Sequence, residues 1–241
     1  MRQTKDLTIL SVNCLSFILF LLYLVSSNFI LAQQGDQKEK QKDLLSSLNW
    51  KKWSPDPVPL FTPEESLAQF KIAPGFKIEL VAHEPMVKDP VFIEWDDEGR
   101  MWVGELRTYM MDLDGSGEDR RMSRVMVLED TDGDGVMDQA TPFLEDMLNV
   151  RSIAFVDGGV LVVETGGLWL CKDNDGDLRC DERKKLFDFA TSAIDNIEHA
   201  ENGLHFALDN WMYNSKSSRK LAWRKGKLIE MPAKARGQWG M

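Results

Sequence analysis

The sequence predicts an all-β protein made of repeated four-stranded units, as in part of a β-propeller. An acidic nonapeptide occurs twice, as DTDGDGVMD at 130–138 and DNDGDLRCD at 173–181, and the two copies begin 43 residues apart. A hairpin phrase, in which two apolar runs flank an Asp- or Gly-containing turn, occurs at 92–103, 153–163 and 204–213. With an apolar run before and after each acidic loop, every unit offers about four short strands, which is the content of a propeller blade.

Three regions are predicted along the chain. Residues 1–32 have the pattern of a signal peptide or an uncleaved membrane anchor, because Arg2 and Lys5 precede an apolar run from about residue 7 to residue 25. Residues 33–61 are polar and then proline-rich, as expected of an extended linker. The rest is therefore expected to be exported, either free in the periplasm or anchored and facing the periplasm or exterior.

Residues 62–241 are predicted to be the N-terminal part of the propeller. Thr62, Pro63 and Glu65 form a helix-start pattern with a capping box, so a short helix should begin there. Alternating apolar residues over 76–80 predict a first strand. The chain then offers two blades and the opening of a third, about two to three of a larger, six-bladed type. A fragment of this kind should be poorly soluble and inactive alone, since an open fan leaves sheet faces uncovered.

The two acidic loops follow the ligand order of a calcium loop. The ligands expected of the first are Asp130, Asp132, Asp134, the backbone carbonyl of Val136, and Asp138, and those of the second are Asp173, Asp175, Asp177 and Asp181. Strands precede both loops and the twelfth positions are Thr141 and Lys184, so an EF-hand is excluded and binding should be weak. The alternative is that Asp and Gly only make hairpin turns. The second loop has Leu178 where the first has Gly135, the residue that permits a sharp backbone reversal.

Composition and cysteine usage narrow the function classes. The formal net charge is −10 and no basic stripe is present, which disfavours nucleic acid as a partner. Cys171 and Cys180 flank the second acidic loop and form either a disulfide, in an oxidising compartment, or two separate thiols. No CxxCH motif occurs, so this chain has no haem attachment site.

His199 is the candidate catalytic histidine. It stands in a polar connection between Glu198 and Glu201, whose carboxylates would orient the imidazole and raise its basicity, as a general base requires. His83 in a Glu-Pro turn and His205 within a strand are more simply surface and structural residues.

The run HAENGLHFALDNWMY from His199 to Tyr213 resembles the H-x-G-G-x-L-x-F-G-P-D-G-x-L-Y phrase of quinone-dependent glucose/sorbosone dehydrogenases. From about residue 63 to 241 the chain is also similar to the N-terminal propeller of the membrane-bound dehydrogenases described from planctomycetes and verrucomicrobia. The matching phrases are APGFKIELVAHEP, DPVFIEWDDEGRMWVGELRTY, VLEDTDGDGVMD and NGLHFALDNWMY.

The resemblance implies pyrroloquinoline quinone as cofactor, a sugar or alcohol substrate, and a downstream cytochrome c domain or other electron acceptor. It assigns the general-base role to His199 and places Glu105, Arg107 and Asn202 near the cofactor, where Arg107 would pair with a quinone carboxylate or a developing oxyanion. Asn202 replaces the first glycine of the family's Gly-Gly pair. The expected function is thus an exported quinone-dependent sugar or alcohol dehydrogenase. Its rivals are a non-catalytic, calcium-stabilised propeller that binds glycans or proteins, and a lactonase-type hydrolase.

Overall fold

The computed structural model describes residues 60–112, 114–188, 200–234 and 237. The predicted signal or anchor segment 1–32 and nearly all of the linker 33–61 lie outside these residues. The helix α1 (Pro63–Ala68) begins at the predicted capping box, in which Glu65 N donates to Thr62 Oγ1 at 3.2 Å and Thr62 N to Glu65 Oε2 at 2.8 Å. In the described part of the chain no helix has the length and apolar character needed to span a membrane.

The described strands form three antiparallel sheets, each made of four strands that are consecutive in the chain. The first sheet contains β1 (Pro90–Trp95), β2 (Met101–Glu105), β3 (Ser123–Glu129) and β4 (Gln139–Met147). The second contains β5 (Ser152–Val156), β6 (Gly159–Glu164), β7 (Gly167–Lys172) and β8 (Glu182–Phe187). The third contains β9 (Asn202–Phe206), β10 (Met212–Ser215), β11 (Arg219–Arg224) and β12 (Lys227–Pro232).

The predicted hairpins and four-stranded units are confirmed, with two corrections. The third unit is a complete sheet of four strands, whereas the sequence predicted only its opening. The predicted strand at 76–80 is wrong: these described residues form no strand, and Phe76 is 77% exposed. Alternation of apolar and polar residues shows that a segment suits a strand, but a strand also requires a partner, and none pairs with this segment here.

The second sheet has an apolar cluster on each face. Successive side chains of a strand point to opposite sides, so one strand can contribute to both clusters. Val160 and Val162 of β6 join the apolar cluster shared with the first sheet. Leu161 and Val163 of the same strand join the cluster shared with the third sheet. The uninterrupted apolar run at 160–163 is therefore explained by two separate cores, one on each side of β6.

The first two sheets contact the preceding part of the chain in the same way. In the β7–β8 loop, Cys180 N donates to the Phe143 carbonyl in β4 at 2.8 Å. At the equivalent position of the β3–β4 loop, Met137 N donates to the Val81 carbonyl, also at 2.8 Å. The segment around Val81 therefore lies against the first sheet as β4 lies against the second.

Candidate functional site

The two acidic loops lie at one end of their sheets. Antiparallel order places the β1–β2 and β3–β4 connections at the same end, and likewise those of β5–β6 and β7–β8. A cavity of about 640 Å³ between the first and second sheets is lined by residues 96–98, 158–160 and 172–174, so these ends coincide. We call this the acidic end, and define it as residues 96–100, 130–138, 157–158 and 173–181.

The first loop is organised by Asp130, the residue that follows β3. Its Oδ1 accepts the backbone N–H groups of Gly133 at 2.7 Å and Asp134 at 3.2 Å, and its Oδ2 accepts that of Gly135 at 2.8 Å. Gly135 has φ of +90°, a backbone conformation that suits glycine. The glycine and the aspartate that the sequence singled out therefore act together to fold the loop around one carboxylate.

Three carboxylates of the first loop converge. One oxygen from each of Asp130, Asp132 and Asp138 lies within 4.8 Å of the other two. Calcium binds oxygen at 2.3–2.6 Å, so two oxygens on one ion are separated by at most about 5 Å. Asp138 is also held by Thr131, whose N–H and hydroxyl donate to it at 3.1 and 2.8 Å. The three oxygens thus fit a single calcium coordination sphere.

The second loop reproduces this arrangement with different members. One oxygen from each of Asp173, Asp175 and Asp177 lies within 4.8 Å of the others. Asp173 accepts the backbone N–H groups of Gly176 at 2.7 Å and Leu178 at 2.9 Å, as Asp130 does in the first loop. Leu178 has φ of +63°, so a leucine adopts the left-handed turn that was uncertain from the sequence.

Three predicted ligands lie outside the converging groups. Asp134 accepts the N–H of Val136 at 2.8 Å, and the Val136 side chain is 43% exposed. Asp181 accepts the N–H of Asn174 at 2.7 Å, which closes the loop as Asp138 does through Thr131. Each loop therefore brings together three of its four predicted carboxylates and uses the fourth for internal hydrogen bonds.

The hydrogen bonds within the loops favour ionised carboxylates. The backbone N–H of Gly135 is the main cause that lowers the pKa of Asp130 below its ordinary value. Burial acts to raise the pKa of Asp173, but the N–H groups of Gly176 and Leu178, with other backbone donors, outweigh it and the pKa is lowered. Both leading carboxylates are thus kept as anions, the form that binds a cation.

The opposite end of the first sheet carries Glu105 and Arg107. Glu105, the last residue of β2, is fully buried and accepts the N–H of Lys88 at 2.8 Å together with bonds from Arg124 of β3. The Nε of Arg107 lies 3.8 Å from Glu105, and the Arg107 side chain is 26% exposed. Both residues are among the three that the resemblance places near a cofactor, and of this pair only Arg107 has a side chain that is partly exposed.

Glu164, which the sequence analysis missed, occupies the equivalent position at the end of β6. It is 3% exposed and accepts the N–H of Leu148 at 2.8 Å. Arg183 of β8 donates to it at 2.6 Å, and Arg121, from the β2–β3 connection of the first sheet, donates at 3.1 Å. A glutamate that ends an apolar strand in both VGE and VVE is the signal that could have revealed this pair.

The predicted general base, His199, lies outside the described residues. Its neighbour Glu201 is partly buried, and burial raises the pKa of this carboxyl although Arg219 opposes the shift. Asn202 begins β9, is 1% exposed, and donates from Nδ2 to the Ala200 carbonyl at 3.0 Å. His205 is exposed in β9.

The two described cysteines are free thiols, and Cys180 packs against the apolar cluster that contains Cys171. Cys171 in β7 is fully buried, and Cys180 at the end of the second loop is half-buried. The Cys171 thiol donates a hydrogen bond to Cys180 and lowers the pKa of Cys180 to about 7. The same bond, with burial, raises the pKa of Cys171. The structure thus has the pair as two thiols, which is one of the two alternatives that the sequence left open.

Fold and site together define a class of all-β proteins in which four-stranded antiparallel sheets follow one another and carry acidic, cation-compatible loops. The chain belongs to the family described as Domain of unknown function (DUF7133), whose model matches residues 62–236. The match begins at the capping residue of α1 and includes all three sheets and both loops. A search of curated proteins found no match.

Proposed function

We propose that the three sheets are consecutive blades of a β-propeller and that the first two bind calcium through the loops 130–138 and 173–181. Three features support the propeller. Each sheet is a meander of four consecutive strands. The second sheet has an apolar core on each face. The loop residues Met137 and Cys180 make equivalent bonds to the preceding part of the chain. Consecutive four-stranded meanders of this kind are what the radial repetition of propeller blades would produce.

One observation carries the calcium proposal. In the third sheet, β11 and β12 are connected by the two residues Lys225 and Gly226, with Arg224 paired to Lys227. A meander of this kind therefore needs no nine-residue loop to reverse the chain. The two acidic loops hold three converging carboxylates each where the third sheet has a short basic turn, and this difference supports a role beyond chain reversal.

The predicted affinity follows from the ligands. The loops lack the bidentate glutamate of an EF-hand, since Thr141 and Lys184 stand at the twelfth positions. Calcium loops of extracellular modules bind with Kd of roughly 10⁻⁴–10⁻³ M, and we assign both loops to that range. Such sites are occupied outside the cell and empty in the cytosol, which agrees with the predicted export.

Calcium titration of the full-length protein, followed by isothermal calorimetry and thermal unfolding, tests the proposal. Wild type should bind two ions and gain stability. Asp132→Asn and Asp175→Asn should each remove one ion, because each carboxylate belongs to a converging group. Asp119→Asn is the control, since this exposed residue of the β2–β3 connection lies outside both loops. Equal binding by all four proteins would refute the proposal.

A quinone-dependent dehydrogenase is the second candidate. Besides the resemblance, it is favoured by Arg107, a partly exposed guanidinium oriented by buried Glu105 at the end opposite the acidic loops. A guanidinium is a suitable partner for the carboxylates of pyrroloquinoline quinone, which would accept the hydride of a sugar or alcohol.

Quinone binding, measured by fluorescence quenching, separates this candidate from a non-catalytic propeller. Binding should weaken at least tenfold in Arg107→Gln, while His199→Ala should retain binding and lose dye-linked turnover. Calcium stabilisation without quinone binding would reject the dehydrogenase and leave a calcium-braced propeller that binds glycans or proteins.

A further inference from the structure

Cys171 and Cys180 stand at the base of the second acidic loop. Cys171 is the residue before Lys172, which ends β7, and Cys180 precedes Asp181, whose N–H donates to the Lys172 carbonyl at 2.8 Å. That bond closes the loop base beside the two sulfurs. Cys180 also packs against the apolar cluster that contains the buried Cys171, so the two side chains lie on the same side of the loop base. A covalent bond between them would reinforce a junction that the backbone already makes.

We propose that Cys171 and Cys180 are a thiol–disulfide modification site that closes the base of the second acidic loop, with Cys180 as the attacking thiol and Cys171 as the resolving thiol. The order follows from exposure. Cys180 is half-buried and can be reached by a small oxidant, whereas Cys171 has no exposed surface. Cys171 can therefore react only with a sulfur that is already beside it, which is that of Cys180.

The oxidant is a small-molecule disulfide such as oxidised glutathione. Cys180 sulfur attacks one glutathione sulfur, which forms a mixed disulfide and releases one glutathione thiol. Cys171 sulfur then attacks Cys180 sulfur, so the protein disulfide forms and the second glutathione thiol leaves. The two cysteine protons are taken up by the two glutathione thiolates. Two cysteines are oxidised and one glutathione disulfide is reduced.

The first loop provides a natural comparison. Leu128 and Met137 occupy the positions equivalent to Cys171 and Cys180, and both are buried in the apolar cluster of the first sheet. The first loop base is thus closed by packing alone, whereas the second carries two sulfurs in the same places. Oxidation should therefore act on the second loop and leave the first unchanged.

Peptide mapping of the full-length protein after incubation with oxidised glutathione tests the proposal. A Cys14→Ala background leaves only these two thiols, because the chain has three cysteines. Trypsin should release 152–172 disulfide-linked to 180–183, without bound glutathione. Cys171→Ala should accumulate one glutathione on Cys180, and Cys180→Ser should stay unmodified while folded. Glutathione on Cys171 at a comparable rate, or absence of the linked peptides, would overturn the proposal.

Thermal unfolding provides a readout that does not require a folded Cys171→Ala variant. Closing a loop of this length should raise the Tm of oxidised wild type by roughly 5–10 °C over the reduced protein. Cys180→Ser should show no shift. A Tm that is unchanged or lower after oxidation would contradict closure of a preformed loop base.

A consequence for calcium rests on the proposed function. If the second loop binds calcium, oxidation should increase its calcium affinity several-fold, because the disulfide leaves less of the loop to be ordered on binding. The ion in the first loop should be unaffected. Linked peptides without any calcium binding would reject the calcium proposal and leave the disulfide site intact, so the two failures are distinguishable.

Discussion

The first two sheets are built to one plan from which the third departs. Both end their second strand in a buried glutamate, Glu105 or Glu164, and both carry an acidic loop between the third and fourth strands. The third sheet ends its second strand in Ser215 and joins its last two strands through Lys225 and Gly226. All three nevertheless form the same four-stranded meander.

This comparison distinguishes the features that a four-stranded sheet requires from those that only the first two sheets have. Strand pairing and short turns suffice for the meander, because the third sheet forms it without a glutamate at the end of its second strand and without an acidic loop. Glu164 connects the first two sheets, since Arg121 of the β2–β3 connection donates to it, whereas Glu105 accepts from Lys88 and from Arg124 of its own sheet. The acidic loops collect carboxylates without contributing strands. Replacing a buried glutamate should therefore have a different effect on stability from changing an acidic loop.

The largest effect is expected from Glu164→Ala. The change leaves the N–H of Leu148 and the guanidinium groups of Arg121 and Arg183 without the carboxylate that they share. Removing one partner of a buried ion pair costs about 3–5 kcal/mol, and we expect the free energy of unfolding to fall by that amount. Urea unfolding at pH 7 measures it.

Glu182→Ala is the control for this prediction. Glu182 is an exposed residue of β8 in the same sheet, and its ion pair with Lys172 spans 3.5 Å at the surface. Surface pairs of this kind contribute about 0–1 kcal/mol. If the two variants lose equal stability, Glu164 does not hold the first two sheets together.

The strands show how far local pattern predicts the fold. The three hairpins were predictable because alternation and turn residues are properties of short segments. Residues 76–80 have the same alternation and form no strand, because pairing depends on a partner that local sequence does not reveal. The full extent of the third sheet was missed for a related reason. Its β12 is almost entirely exposed, and its apolar residues Leu228, Ile229 and Met231 do not follow the regular alternation that marked the hairpins.

The candidate site, like the fold, was predictable only where its residues are close together in the sequence. The acidic loops are contiguous in sequence, so their carboxylates could be recognised from spacing alone. The bond between Arg121 and Glu164 joins the β2–β3 connection to β6 of the next sheet, and no local pattern predicts it. Leu178 adopts a positive φ because its side chain packs against the core shared by the first and second sheets. Tertiary packing thus replaces the glycine that the first loop uses.

Substitutions at Leu178 allow the two loops to be compared directly. Their expected effect on the free energy of unfolding is smaller than that of Glu164→Ala. Leu178→Ala removes the packing and keeps the positive φ, so the free energy of unfolding should fall by about 1–3 kcal/mol. Leu178→Gly should lose less, because glycine also removes a backbone cost of roughly 1 kcal/mol. Urea unfolding with calcium chelated measures both variants.

Gly135→Ala is the matched change in the first loop. An added Cβ would meet no atom within 4 Å, so only the backbone cost at φ +90°, about 1–2 kcal/mol, should be observed. A Leu178→Gly protein more stable than wild type would show that packing does not compensate the strain, and the two turns would then differ in energy as well as in sequence.

The smallest effect is expected in acid. The lowered pKa values of Asp130 and Asp173 mean that each carboxylate stabilises the folded protein fully above about pH 4, the ordinary pKa of an unfolded aspartate. This contribution is lost as the pH falls through the lower pKa of the folded loop, because the folded state then has to bind the proton that the unfolded state already holds. With calcium chelated, Asp130→Asn and Asp173→Asn should each make the decline of unfolding free energy between about pH 4 and pH 2 shallower than in wild type.

The double variant should show a decline that is shallower still, with additive changes, since the loops share no hydrogen bond in the described residues. Curves parallel to wild type would mean that the N–H groups donated by Gly135 and Leu178 do not hold ionised carboxylates, and the loops would then lack the charge state that a cation requires.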